Sequence, residues 1–547
     1  MRVSEVVGRV LAGHGVRYVF GVVGSGNFHV TNALVAAGAR FVPAAHEGGA
    51  ASMADGFART SGTVGILSVH QGPGLTNALT GITEAAKSRT PMLVLAPEAT
   101  APRSNFFLDL PALAASVGAD FFRVRAAHAA EDTGAAFRAA ARGATVLLGL
   151  PLEVQNASTE AWSGRIALAA PEPPVEPEVE PLVAALRAAR RPVFVAGRGA
   201  RTAREPLIRL AEECGALLAV SAAAKGLFVG NPWNLDVAGG FATPLATSLI
   251  GEADLVVAWG STLNMWTTRH GELIPPDAVV AQVDRDPAAF GVNRPVDLTV
   301  AGEVATVAGA VLARLAGQPV SDRPAAGWRT PELGRRIERE GRWRSVSYVD
   351  EGGSGQPITI DPRTLSIALD DLLPSERTVV VDSGNFMGYP SMFLDVPDVA
   401  GFCFTQAFQS IGLGLASALG AAVARPDRLT VAALGDGGFL MSAAELVTAA
   451  RLALPLVVVV YDDAAYGAEV HHFGPDGYPL DTVTFPQTDL AAIARGYGCA
   501  GVTVRGVDDL EPVRDWLAGP RSRPMVVDAK ISGEHGSWWL EEAFRGH

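Results

Sequence analysis

Thr430-Val-Ala-Ala-Leu-Gly-Asp-Gly-Gly438 and, about one helix later, Leu456-Val-Val-Val-Val-Tyr-Asp-Asp-Ala-Ala-Tyr-Gly467 decide how this chain folds. Each opens with a short apolar run that lacks polar alternation and closes on turn-forming residues. Such runs are strands buried on both faces, as a parallel sheet covered by helices requires. Asp436 follows the first run directly and Asp463 sits at the end of the second, so both carboxylates project from the carboxyl ends of neighbouring strands. Gly437 and Gly438 let the backbone approach a phosphate closely before a helix begins. Asp-Gly and Asp-Asp alone also mark ordinary turns. Two hard oxygen donors at this spacing suit a magnesium ion that completes its octahedron with diphosphate oxygens and water.

The same alternation runs outward in both directions. Apolar runs at Tyr18–Val23, Val64–Val69, Met92–Ala96 and Thr145–Leu150 are separated by Ala-rich helical stretches. A second series covers Pro192–Ala196, Ala216–Val220, Leu255–Trp259 and Val279–Val283, and a third covers Thr378–Asp382, Thr430–Gly435, Leu456–Tyr461 and Met525–Asp528. The pattern predicts an α/β chain of three doubly wound parallel-sheet domains, spanning 1–165, 182–317 and 358–547. Helices are expected over Gln409–Ala424 and Ser442–Leu452. An acidic, proline-dense stretch at 171–181 and a polar stretch at 317–362 with one short helix read as linkers. Gly-punctuated strand ends in the first and third units suggest a duplicated architecture, and ligands in such sheets bind beyond the carboxyl ends of the strands.

Composition narrows the function. With 547 residues, 48% hydrophobic and 18% charged, the chain can bury several cores. A net charge of −13 disfavours nucleic acid and anionic membrane surfaces, leaving small molecules as the expected partners. Cys214, Cys403 and Cys499 are far apart and form no Cys-x-x-Cys, which fits a reducing cytoplasm. The N-terminal segment reads as an amphipathic helix capped near Ser4, with Glu5 and Arg9 interrupting it too early for a signal peptide. No run of about 20 apolar residues suggests a membrane span.

Gly435-Asp436-Gly437-Gly438, the segment Glu445-Leu446-Val447-Thr448-Ala449 and the run ending in Tyr461-Asp462-Asp463 together resemble the thiamine diphosphate motif of the acetolactate synthase, benzoylformate and pyruvate decarboxylase and benzaldehyde lyase family. In style the chain is closest to acetolactate synthase large subunits. Ala45-His46-Glu47 through Ala58-Arg59 resembles the family's glutamate helix. There the carboxyl group hydrogen-bonds N1′ of the aminopyrimidine, and the 4′-amino group takes the proton from the thiazolium C2. A zinc-protease reading of His46-Glu47 fails because Ala50 stands where a second histidine is needed.

The resemblance implies pyrimidine-binding, central and diphosphate-binding domains, and a homodimer or homotetramer in which Glu47 of one subunit meets the cofactor held by another. It implies Asp436, Asp463 and Ala465 as the metal set. Gly384, Asn385 and Phe386, with Gly435, Gly437, Gly438 and Tyr466, fall at cofactor contacts. Ile411 matches the apolar residue wedged between the two cofactor rings, and the Gln409 carbonyl matches the acceptor of the 4′-amino group. Ser25 and His70 match residues that handle substrate in benzoylformate decarboxylase, whereas Gln71-Gly72-Pro73-Gly74 is more like acetolactate synthase. Leu108 stands where the ligase branches place glutamine, and Asp463 stands where most members carry asparagine. Glu469, His471 and His472 read either as a solvated face or as residues reaching the substrate. Some branches bind FAD in the central domain; no glycine pattern with an acidic ribose ligand supports one here.

The expected activity is decarboxylation of a 2-oxo acid followed by carboligation to an aldehyde or 2-oxo acid acceptor. Nonoxidative decarboxylation, acyloin cleavage and a catalytically silent cofactor-binding homologue are the alternatives.

Overall fold

In a computed structural model of the chain, residues 1–159, 162, 177–316, 328–353 and 358–543 are described. Much of the 171–181 and 317–362 stretches therefore lies outside the described residues, although the helix expected in the second appears at Pro331–Glu340.

The first sheet comprises β1 (Tyr18–Gly21), β2 (Arg40–Pro43), β3 (Gly65–Ser68), β4 (Met92–Glu98), β5 (Asp120–Arg123) and β6 (Thr145–Pro151). The second comprises β7 (Pro192–Ala196), β8 (Leu217–Val220), β9 (Asn234–Val237), β10 (Leu255–Trp259), β11 (Val279–Asp284) and β12 (Leu298–Ala301). The third comprises β13 (Arg377–Val381), β14 (Phe402–Phe404), β15 (Leu429–Gly435), β16 (Leu456–Asp462), β17 (Ala500–Val504) and β18 (Met525–Lys530). All strand pairings are parallel. Central strands such as β4, β6, β10, β13 and β16 are buried at every position, which is why apolar residues dominate their sequences.

Strand order shows which units are related. The first sheet runs β2-β1-β3-β4-β6-β5 and the third β14-β13-β15-β16-β18-β17, the same order in each. The second runs β12-β11-β10-β7-β8-β9 and differs. In the first and third sheets the winding direction reverses between the first and third strands. A crevice opens at that point, beyond the carboxyl ends.

The related units pack through two helices, Glu47–Ser61 and Gly414–Ala424, whose backbones nearly touch. A Cβ at Gly56 would lie 2.8 Å from Ser417 C and Cα, and one at Gly420 would lie 2.8 Å from Met53 C. Only glycine at both crossings permits that approach.

Three expectations about helices are corrected. The first helix spans Val3–Gly13 with Arg2 at its N-cap, and Ser4 lies buried in the first turn. Glu5 accepts the Arg2 N–H at 2.9 Å, so the cap is made by a carboxylate reaching back rather than by a serine. The expected Gln409–Ala424 helix begins only at Gly414, because Gln409 at φ +60° and Gly412 at φ +87° hold the preceding segment in left-handed turns. The Ser442–Leu452 helix is likewise broken into Asp436–Ser442, a 3-10 turn at Ala443–Glu445, and Leu446–Arg451. Among the described residues no helix is long and apolar enough to cross a membrane.

Candidate active site

The sequence-expected residues fall into two clusters, one at each of the related switch points. In the first unit, Ser25 and Gly26 follow β1, Glu47 follows β2, and His70 and Gln71 follow β3. Adjacent strand ends thus gather residues that are distant in sequence. His70 Nδ1 accepts the Gly26 N–H at 3.2 Å, which leaves the proton of the neutral imidazole on Nε2. Its ring meets Phe106 edge-on at 5.6 Å. Gln71 is buried at 4% exposure, and its Oε1 has no hydrogen-bond partner among the described residues.

Glu47 opens its helix, where a carboxylate is favoured by the exposed N–H groups. Its Oε2 accepts from Asn77 Nδ2 at 3.1 Å. His46 caps the same helix by accepting the Gly48 N–H through Nδ1 at 3.0 Å. The turn before Glu47 is held from the third unit, because the Glu445 carboxylate accepts the N–H of Ala45 at 3.1 Å and of His46 at 3.0 Å. Burial pushes the Glu445 carboxyl pKa up against those stabilising bonds.

The second cluster forms where β13, β15 and β16 end. Register pairs Gly435 with Tyr461, so Asp436 stands beside Asp462 and Asp463. Their fates differ. Asp462 is bound to Lys530, which also lies 3.0 Å from Asp528, whereas neither Asp436 nor Asp463 has a cation partner among the described residues. Burial, then the nearby Asp463, pushes the Asp436 carboxyl up to about 8. Burial, then Asp462, pushes Asp463 up to about 7. A buried and a half-buried carboxylate side by side that resist ionisation are completed electrostatically by a divalent cation. Ala464 at φ +57° bends the chain here, and the Ala465 N–H donates to Asp463.

Around this pair lies a cradle with room for backbone only. A Cβ at Gly437 would come within 2.5 Å of the Tyr466 ring, and one at Gly435 within 3.3 Å of the Phe386 ring. Asn385 is 8% exposed, and its Oδ1 lacks any hydrogen-bond partner among the described residues. The Asn385 carbonyl is tied down by Ser537 Oγ at 2.9 Å and Trp539 Nε1 at 3.1 Å. An unpartnered buried amide, a glycine cradle and two uncompensated carboxylates fit a metal-bound diphosphate.

Gln409 and Ile411 lie on the turn between β14 and the Gly414–Ala424 helix. A Cβ at the adjacent Gly412 would lie 3.6 Å from Gly438 O, which places this turn against the cradle. Among the described residues, no hydrogen bond or ion pair joins Glu47 or His70 to Asp436, Asp463 or Gln409.

Two cavities flank these clusters. A cleft of about 560 Å³ at the carboxyl ends of β4, β5 and β6 includes Phe107, Leu108 and Asp109 in its lining, with Arg123 paired to Glu98 at 2.6 Å. His471 and His472 line a second, of about 240 Å³, together with Gly536 and Ser537. Burial, then the neighbouring His535, lowers the His471 pKa. In the middle unit the loops flanking the switch point bond to each other, Gly197 N–H to Trp259 O at 2.8 Å and Gly199 N–H to Gly260 O at 3.0 Å.

Several roles here are not announced by the sequence. Asn77 and Glu84 each follow a threonine and Asp382 precedes Ser-Gly-Asn, strings that do not name their partners, and Glu445 falls in a quoted motif segment that does not foretell its bonds to Ala45 and His46. The available signal was a charged residue on a buried helical face, as at Glu84, which is 1% exposed.

Family models match all three units. Residues 1–112 match the N-terminal TPP binding domain of thiamine pyrophosphate enzymes, residues 179–314 the central domain and residues 382–529 the C-terminal TPP binding domain. A probable 2-ketoarginine decarboxylase of Pseudomonas aeruginosa is 30% identical, covering 94% of this chain and 91% of that protein. A sulfoacetaldehyde acetyltransferase of Rhodobacter capsulatus is 29% identical over 99% of this chain and 96% of its own. The acetolactate synthase large subunit of Haemophilus influenzae is 25% identical over 97% and 95%.

Proposed function

Since the chain belongs to the thiamine pyrophosphate enzyme family, we propose that it is a Mg2+-dependent enzyme that decarboxylates a 2-oxo acid and joins the remaining acyl unit to a carbonyl acceptor. When bound, thiamine diphosphate supplies the carbon nucleophile and the electron sink for loss of CO2. The protein supplies everything else. Asp436, Asp463 and the Ala465 carbonyl hold the metal, while Gly384, Asn385, Gly437, Gly438 and Tyr466 line the diphosphate. Ile411 and Gln409 set the cofactor's bend and orient its amino group.

Glu47 from a second copy hydrogen-bonds the aminopyrimidine, which makes a homodimer the smallest active unit. His70, with Nε2–H free to donate, and Ser25 face the substrate and move its protons; Gln71 fixes its orientation. The observation that carries this reading is the pair of half-sites on sheets of identical strand order. One half bears the carboxylate and imidazole, and the other bears two carboxylates that need a cation.

Ligation is favoured by the Gln71-Gly72-Pro73-Gly74 loop and by relatives named for acetyl transfer and acetolactate synthesis. Simple decarboxylation is the second reading, favoured by His70 with Ser25 and by the relative named as a decarboxylase. Pure protein with thiamine diphosphate and Mg2+ is incubated with pyruvate, benzoylformate and branched 2-oxo acids, and the products are resolved by NMR. Acyloin or acetolactate-type products are expected. Free aldehyde alone would transfer the assignment to the decarboxylases, and bound cofactor without turnover of any 2-oxo acid would refute both.

A further inference from the structure

The turn that carries Gln409 and Ile411 is held at both ends by buried carboxylates outside the metal pair, the second of them against Gly438 of the cradle. At its start, Glu84 projects from the Leu79–Lys87 helix of the first unit. Its Oε1 accepts the Ala407 N–H at 3.1 Å and its Oε2 accepts the Phe408 N–H at 2.6 Å. Arg59, on the Glu47 helix, binds Glu84 at 2.7 Å and donates to the Phe404 carbonyl at 2.8 Å. It is in turn paired with the buried Asp55 at 2.8 Å. The Lys87 ammonium sits over the Phe408 ring at 5.6 Å.

At the far end, Asp382, fully buried after β13, accepts the Gly412 N–H at 2.8 Å and the Leu413 N–H at 3.3 Å. Between these anchors the chain passes through Gln409 in the left-handed region, a conformation that a non-glycine residue holds only when its surroundings impose it. Phe408 itself is 43% exposed, so packing does not fix this turn. The charge-assisted bonds do.

We propose that Glu84 and Asp382 are positioning residues that set the Gln409–Ile411 turn against the cofactor, with Arg59 and Asp55 orienting Glu84. This rests on the thiamine diphosphate reading of the site. Each subunit's pyrimidine-binding unit then serves two sites: it lends Glu47 to the partner's cofactor and braces the turn that shapes its own. The demand on each carboxylate is two acceptor oxygens facing two N–H donors. An amide of the same shape offers one acceptor and turns a donor against the other N–H.

Glu84→Gln and Asp382→Asn test this by three readouts on the full-length protein. The first is hydrogen exchange at residues 407–413 without cofactor. The second is the near-UV circular dichroism of bound thiamine diphosphate. The third is the exchange rate of its C2 proton. Both variants are expected to exchange the 407–413 amides at least tenfold faster. C2 exchange should slow by about 10- to 100-fold, the scale of an ångström of misplacement, with an altered dichroism band. Cofactor affinity should change less than C2 exchange, because Asp436 and Asp463 are untouched. Folded variants with wild-type amide protection and C2 exchange overturn the proposal. If one variant does not fold, the other decides, since the anchors lie on different elements. A wild-type protein that binds no thiamine diphosphate would sink the functional reading instead, and the amide exchange would still judge the tether.

Discussion

Gly56→Ala tests how the two related units are joined. The added Cβ would run into the Ser417 carbonyl oxygen and lie 2.8 Å from Ser417 C and Cα, whereas ordinary contact begins at 3.4 Å, so the helices must part by more than about 0.6 Å. The obstacle is backbone, which cannot swing aside as a side chain can. Overpacking of this kind costs about 1–3 kcal/mol, against which alanine returns up to about 1 kcal/mol of helix propensity. Gly309→Ala is the control: it lies in the Val304–Ala316 helix with nothing within 4 Å of the new Cβ. It should stabilise by about 0.4–1 kcal/mol. A chain of this size is expected to unfold irreversibly, so thermal midpoints are compared at one scan rate together with inactivation half-lives. Gly56→Ala and Gly420→Ala should fall below wild type, and Gly309→Ala should match or exceed it. Because the Glu47 helix is the one displaced, C2 proton exchange in Gly56→Ala should fall as well. If Gly56→Ala melts no lower than Gly309→Ala, the close crossing does not set the relation between the units.

Asp463→Asn removes a carboxylate that, after burial, disfavours the ionisation of Asp436, so half-maximal cofactor binding should need no more Mg2+ than in wild type. A markedly higher requirement would contradict the charge argument. Asp382, pushed up to about 6 by burial, binds its proton more tightly folded than unfolded. Stability therefore declines as pH rises from the unfolded value near 3.8 to about 6 and is flat above. Asp382→Asn should lose this slope, and an unchanged pH dependence between 4 and 6 would count against it. His70→Ala should lower turnover by about 10²- to 10⁴-fold, as loss of a proton-transfer group does, with cofactor affinity retained. Equal losses of affinity and turnover would make His70 structural.

What the sequence reveals depends on position in the sheet. Every central strand is legible because burial on both faces demands an unbroken apolar run, as in Val457–Val460. The strands that escape such a reading are β2, β5, β9, β12, β14 and β17, the six edges. β5 and β12 are short and partly exposed, and their sequences, Asp-Phe-Phe-Arg and Leu-Thr-Val-Ala, carry no periodicity that separates them from loops. Gly435–Gly438 and Glu47 are legible because their chemistry restricts which residues can serve. The roles of Glu84, Asp382 and Glu445 are not, since each acts by accepting backbone N–H groups from residues up to 400 positions away. Backbone donors leave no trace in side-chain identity. The Gln409–Ile411 turn reads as helix in the sequence for the same reason: the carboxylates that bend it are distant along the chain.

The central claim is a site split between two copies, and subunit complementation tests it most directly. Glu47→Gln and Asp436→Ala, each made alone, should retain less than about 1% of 2-oxo acid turnover, as loss of a proton-transfer group or a metal anchor implies. Coexpressed with different tags and purified as the mixed dimer, they should regain up to half the wild-type turnover, because one of the two sites then has both Glu47 and Asp436 intact. A verified mixed dimer as inactive as its parents would contradict the account.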